Sequence, residues 1–264
     1  MKIIVCMKQV PDTTEVKIDP KTGRLIREGV PSIINPEDKN ALEEALRIKE
    51  KNNAYITVLT MGPPQAEDAL REALAMGADK AILLGDIKFA GSDTWATANA
   101  LAACVKKIGE YDLILCGRQA IDGDTAQVGP QLAEALKIPQ ITYAQKIDMI
   151  ENGVRVEREL EDGHEVIETK LPCLITVTQN INCPRYPSLK GIDESFNKEM
   201  IGMNAADVEV DEALVGIKNS PTKVKKTFTP SGKGQSSMLK GSNAEMAKEL
   251  ICMLREKKLI QVFD

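Results

Sequence analysis

Five short apolar runs, separated by stretches with helical periodicity, constrain this chain more than any other feature. They are KIIVCM at 2–7, YITVLTM at 55–61, AILL at 81–84, DLILC at 112–116 and CLITV at 173–177, all rich in aliphatic residues. A strand with one face in water alternates apolar and polar side chains. A nearly continuous run demands cover on both faces, as in a parallel sheet between helical layers. Helical spacing follows at Pro36 to about Lys51, Gln65 to Met76, Thr94 to Ile108 and a stretch ending near Lys137. This alternation predicts an α/β domain with a parallel sheet and right-handed crossovers.

The punctuation agrees. In Asn35-Pro36-Glu37-Asp38, Asn35 reads as a helix cap, Pro36 suits the first turn and the two acids favour its positive end. A polar loop with Lys17-Ile18-Asp19-Pro20 precedes it. From Thr142 the texture changes to short strand-like pieces, Lys146 to Ile150, Val154 to Leu160 and Glu165 to Lys170, broken by Asn152-Gly153 and Asp162-Gly163. Those dipeptides signal hairpins, so a small antiparallel extension is expected. Beyond Pro187 the rhythm is lost. Lys218 to Gly241 reads as an extended polar arm, and Ser242 to Glu245 as a capping box that opens a helix with Met246, Leu250, Met253 and Leu254 on one stripe. The expected division is 1–190 for the α/β domain and 191–264 for the arm and helix, the latter packing on its own domain or on a partner.

Several function classes are disfavoured. A net charge of −5, from 34 basic and 39 acidic residues, offers no basic face for nucleic acid. The six cysteines are scattered without a C-x-x-C pair, so buried reduced thiols in a cytoplasmic, reducing compartment are expected rather than a metal centre. No run approaches the roughly 18 apolar residues of a membrane span. Neither G-x-G-x-x-G nor a P-loop occurs. The single histidine, His164, falls in a predicted turn, where exposure rather than catalysis is expected. Glu43, Glu44, Glu67, Asp68 and Glu72 lie on predicted helices and read as solvated faces.

The strongest candidate site is the segment Gly117-Arg118-Gln119-Ala120-Ile121-Asp122-Gly123-Asp124-Thr125-Ala126-Gln127-Val128-Gly129-Pro130, which follows the run DLILC and enters a helix. Open parallel sheets bind ligands beyond the carboxyl ends of their strands, where helix N-termini favour phosphate. Gly117, Gly123 and Gly129 allow close backbone approach, Arg118 offsets anionic charge, and Asp124 or Thr125 suits a cap. Asp122 and Asp124 would repel a pyrophosphate at close range and fit backbone capping or ribose hydroxyls better. On spacing alone, a nucleotide loop and a purely structural turn explain this segment equally well.

A resemblance adds what spacing cannot. Residues 156–167, VERELEDGHEVI, continuing through LPCLIT at 171–176, resemble the signature of the electron-transfer flavoprotein beta subunit. The opening VCMKQV at 5–10, Asn35-Pro36, LAMGAD at 74–79 and Gln119-Ala120-Ile121-Asp122 resemble the same family in the same order. The resemblance implies a Rossmann-like, adenine-nucleotide-binding α/β fold, and an alpha subunit that carries an electron-transferring FAD and is embraced by a C-terminal arm. It places a nucleotide on Gly117 to Val128, with further contacts from Cys6, Asn35 and Met61.

Simple members of the family hold AMP at this position, whereas electron-bifurcating members hold a second FAD reduced by NADH. The stretch from Asp122 to Pro130, with Gly123, resembles the bifurcating kind. The partners so implied are an acyl-CoA dehydrogenase and a low-potential acceptor, ferredoxin or flavodoxin. Cys183 to Lys190 resembles the family's dehydrogenase-recognition loop, with Tyr186 and Leu189 as its contacts. The competing readings are an AMP-holding beta subunit, a non-redox adenine-nucleotide-binding protein and a stand-alone dehydrogenase.

Overall fold

The structure, a computed structural model, describes residues 1–12, 31–225 and 238–260. The loop expected at Lys17 to Pro20 and the middle of the expected arm, 226–237, lie outside the described residues. The chain divides into two compact units, Met1–Val224 and Lys225–Asp264.

The first unit opens with β1 (Lys2–Cys6), β2 (Gln9–Pro11), β3 (Ser32–Ile34), α1 (Pro36–Asn52) and β4 (Tyr55–Met61). It continues through α2 (Glu67–Met76), β5 (Lys80–Leu84), α3 (Thr94–Ile108), β6 (Leu113–Gly117) and α4 (Val128–Leu136). There follow β7 (Gln140–Ile150), β8 (Gly153–Leu160), β9 (Gly163–Thr169) and β10 (Cys173–Val177), then α5 (Leu189–Ser195), β11 (Glu199–Met203) and α6 (Gly216–Asn219). The main sheet has nine strands in the order β11-β5-β4-β1-β6-β10-β7-β8-β9, while β2 and β3 pair separately as an antiparallel ribbon. From β11 to β7 every pairing is parallel; β7-β8-β9 is antiparallel. The α/β class, the parallel sheet and its small antiparallel extension are as the sequence predicts.

Continuous apolar runs become central strands because successive side chains serve opposite faces. Ile3 and Val5 join a core roofed by α1 and α2, whereas Ile4 and Cys6 join a second core roofed by α3 and α4. At the far edge of the sheet the hairpin is held by ion pairs between register partners: Lys146–Glu157 at 3.2 Å, Arg155–Glu168 at 2.7 Å and Arg158–Glu165 at 3.4 Å.

Three expectations need correction. The α/β unit does not stop at 190: α5 packs on α2, β11 extends the sheet parallel to β5, and the unit runs to Val224. As a half-exposed edge strand, EMIGM lacks the apolar run that marks a central one. β7 begins six residues earlier than Lys146, because Gln140–Ala144 first pairs in parallel with β10 before a register shift turns it toward β8. Asn35 precedes α1 but its side chain does not cap it.

In the second unit, α7 (Asn243–Glu256) starts at the predicted box: the Ser242 hydroxyl accepts from the Glu245 N–H, and the Glu245 carboxylate accepts from the Ser242 N–H at 2.8 Å. Among the described residues no helix is long and apolar enough to cross a membrane.

Candidate functional site

The connection from β1 passes through α1 to β4 on one side, and that from β6 passes through α4 toward the other. A crevice therefore opens where the carboxyl ends of β1 and β6 part, the usual ligand position in an open parallel sheet. Cys6 ends β1, Gly117 ends β6, Met61 ends the neighbouring β4, and the segment 118–127 spans from β6 to α4.

Much of what shapes this loop comes from the first turn of α1. The Asn35 side chain accepts from the Ile121 N–H at 3.0 Å and donates to the Gln119 carbonyl at 2.8 Å, reading the loop as a strand partner would. Glu37 accepts from the Gln119 N–H at 2.9 Å and pairs with the Arg118 guanidinium at 2.9 Å. Asp38 accepts from the Lys8 N–H at 2.8 Å with one oxygen and from the Gly117 N–H at 2.9 Å with the other, tying β1 to β6 at the crevice. All three residues are buried. The acids that sequence reasoning assigned to the helix dipole serve the loop backbone instead.

Burial, partly offset by the Lys8 and Gly117 N–H groups, pushes the Asp38 carboxyl up to about 7. Burial likewise raises Glu37, against the Gln119 N–H and Arg118. Asparagine at 38 would turn an amide NH2 toward one of two N–H donors, a loss of about 1–3 kcal/mol. Linkage sets how stability varies with pH. A carboxyl that titrates higher in the folded chain contributes stability fully present below its ordinary value of 3.8, lost as pH rises through about 7. The Asp38→Asn deficit in melting temperature, relative to the parent, is therefore expected to shrink between about pH 4 and about pH 7 and to level off above. A deficit independent of pH would overturn this assignment.

Of the two loop aspartates, Asp122 is ion-paired and Asp124 is hydrogen-bonded to a neutral amide. Lys8 grips both oxygens of Asp122, at 2.6 and 2.8 Å, and Gln119 donates to Asp124. Neither aspartate caps α4, and nor does Thr125; the N-cap position is Gln127, without a side-chain cap. The N–H groups of Val128 and Gly129 at the start of α4 therefore have no capping side chain, and Pro130 has no N–H; an uncapped helix N-terminus favours phosphate. Arg118 also lies over the Tyr143 ring at 5.6 Å, and its Nε is buried without a partner. Asp124 and Ala126 hold positive φ, 52° and 53°.

The glycines divide by cause. A Cβ on Gly117 would collide with Asp38 and Glu37, and one on Gly129 would meet the Thr176 methyl at 2.5 Å. Both are required by helix–strand packing. By contrast, Gly123 has nothing within 4 Å of its Cβ direction.

Cys6 and Cys116 are register partners on β1 and β6, buried beneath the site; contact with Cys6, then burial, raises the Cys116 thiol well above its ordinary value. Cys104 and Cys173 are also buried, but Cys183 and Cys252 are exposed, against the expectation for all six. His164 is exposed at the start of β9. Tyr186 and Leu189 lie apart from the crevice, 94% and 88% exposed, and Leu189 opens α5 rather than a loop. Sequence reasoning missed Lys8, Glu37 and Asp38. It also misplaced Glu43 and Glu44, which are buried at 3% and 8%.

A family model described as "Electron transfer flavoprotein domain" matches residues 22–208. An electron transfer flavoprotein subunit beta from Thermoanaerobacterium thermosaccharolyticum is 56% identical over 261 residues, covering 98% of this chain and 100% of the relative. The caffeyl-CoA reductase-Etf complex subunit CarD of Acetobacterium woodii is 52% identical over 262 residues, with 98% and 100% covered. The acryloyl-CoA reductase electron transfer subunit gamma of Anaerotignum propionicum is 46% identical over 269 residues, again with 98% and 100% covered.

Proposed function

The chain belongs to the electron transfer flavoprotein family, as a beta subunit, and from that premise we propose that it holds FAD in the crevice between β1 and β6. In this reading it works in the cytoplasm beside an alpha subunit. It accepts electrons from NADH and divides them between a low-potential acceptor, ferredoxin or flavodoxin, and the alpha-subunit FAD, which serves an acyl-CoA dehydrogenase. The likeness to subunits named for caffeyl-CoA and acryloyl-CoA reductase assemblies supports this direction.

The observation that carries FAD rather than AMP is the open space at Gly123 beside an uncapped helix N-terminus. AMP needs room for one phosphate. FAD needs that room and a path onward for its second phosphate and ribityl chain, which a side chain at 123 would obstruct. The residues fit such a group. Lys8 neutralises Asp122, Gln119 occupies Asp124, the N–H groups of Val128 and Gly129 are left without a side-chain cap, and Asn35 and Glu37 hold the loop backbone in place.

The flavin supplies the redox chemistry when bound. The chain orients it, offers compensating charge through Arg118 and limits solvent at the buried strand ends. In the same reading the exposed pair Tyr186 and Leu189 meets the dehydrogenase.

The test is a nucleotide count. Extraction of the co-purified heterodimer is expected to yield two FAD and no AMP, with NADH bleaching the flavin absorbance. One FAD with one AMP would replace this reading by the simple electron-transfer type.

A further inference from the structure

The buried polar face of α1 does not end at the nucleotide loop. One turn beyond Glu37, Asn40 donates to the Asn182 carbonyl at 2.8 Å, and Asn182 donates back to the Asn40 carbonyl and to Glu44, both at 3.1 Å. Glu43, 3% exposed, then receives three donors from one residue: the Arg185 Nε at 2.8 Å, its Nη2 at 3.1 Å and its backbone N–H at 3.2 Å. Arg47 adds a fourth at 2.9 Å, and Glu50 takes the Arg185 Nη1. Although burial alone would raise Glu43, the two guanidiniums hold its carboxyl below the ordinary range.

A two-oxygen grip on a guanidinium sets direction as well as distance. Tyr186 follows Arg185 immediately, and Leu189 comes three residues later, past Pro187. The other side of the segment is clamped too: Arg71 donates to the Ser195 carbonyl at 2.7 Å, and Gly191 lies too close to the Ala75 carbonyl to carry a Cβ. Asp38 and Glu43 are five residues apart on α1, about 7–8 Å along the axis. One helix therefore grips the crevice with its first turn and the base of the Tyr186–Leu189 projection with its next two.

We propose that Glu43 is a positioning residue for dehydrogenase docking, which through Arg185 aims the exposed Tyr186 and Leu189 and keeps them in register with the nucleotide loop held by the same helix. This rests on the reading of the Leu189 segment as the docking site. Glu43 itself is too buried to touch a partner, so any effect it has on docking passes through Arg185.

The experiment uses the co-expressed heterodimer and its acyl-CoA dehydrogenase, with the variants Glu43→Gln, Arg185→Ala, Leu189→Ala and the double variant Arg185→Ala/Leu189→Ala. Glu43→Gln and Arg185→Ala are each expected to raise the KM for the dehydrogenase about tenfold. Their kcat and flavin content should stay near those of the parent, whereas the melting temperature should fall, because a buried ion pair is broken. In the Leu189→Ala background, Arg185→Ala should add less than it does alone, because one of the two side chains it aims has already been removed. A parental KM for Glu43→Gln and Arg185→Ala beside a raised KM for Leu189→Ala overturns the positioning role and leaves the docking reading standing. A parental KM for all three overturns both. Additive effects in the double variant, or flavin loss in Glu43→Gln, would mean direct contact or general packing and likewise overturn the proposal.

Discussion

Gly117→Val is expected to cost the beta subunit about 3–5 kcal/mol and to empty its nucleotide site, the largest effect expected of any single substitution in the crevice. Gly117 is the last residue of β6 and sits under the first turn of α1, where an added Cβ would lie 2.8 Å from the Asp38 backbone nitrogen and closer still to its carboxylate. Nothing there is the free end of a flexible chain. The helix must lift, and lifting it breaks the two bonds by which Asp38 joins Gly117 to Lys8, together with those from Asn35 and Glu37 to the loop. Overpacking of this kind costs roughly 1–3 kcal/mol, and orphaned buried donors add a comparable amount. Denaturant midpoints of the heterodimer, read with flavin retained after gel filtration, provide the measurement. A variant with parental stability would show that α1 is not seated as described.

Gly123→Leu should behave in the opposite manner: about a hundredfold loss of cofactor affinity on a fold whose stability moves by no more than about 0.5 kcal/mol. The surroundings of Gly123 are empty, and its φ lies outside the left-handed range, so the chain itself tolerates a side chain. What the leucine displaces is whatever approaches the backbone from the crevice. Titration of the apo-heterodimer with FAD, followed by flavin fluorescence, gives the dissociation constant, and circular dichroism the fold. An unchanged constant would place the cofactor's path elsewhere. The pair of glycines is informative because it separates a residue kept small for the protein from one that, in the proposed reading, is kept small for the cofactor.

Both glycines stand out in the sequence, yet their causes do not. A glycine at a strand end reads the same whether a helix or a nucleotide presses on it. The central strands were legible because burial on both faces removes polar residues from runs such as LILC, whereas β11, at an edge, keeps a glutamate and a glycine and resembles loop. Asn35 was legible as important and illegible in role: its side chain serves residues 84 and 86 positions away rather than its own helix. Glu43 and Glu44 were misread for a related reason. Adjacent carboxylates on a helix suggest solvent, and the partners that bury them, Arg185 and Asn182, lie 142 and 138 positions away. Helical period and capping chemistry are local and readable. Polar pairing across the fold is not.

The hairpin at the end of the sheet bears on a different matter, the fate of the chain before it meets a partner. A terminal strand offers an unpaired row of backbone donors and acceptors to any other extended chain, and β9 is seven residues long with Val166 58% exposed. Its Glu165 and Glu168 are held on the β8 side by Arg158 and Arg155. A second copy laid edge to edge would set carboxylates against one another and compete for arginines already taken. The charges on this edge thereby weigh against self-association by strand addition.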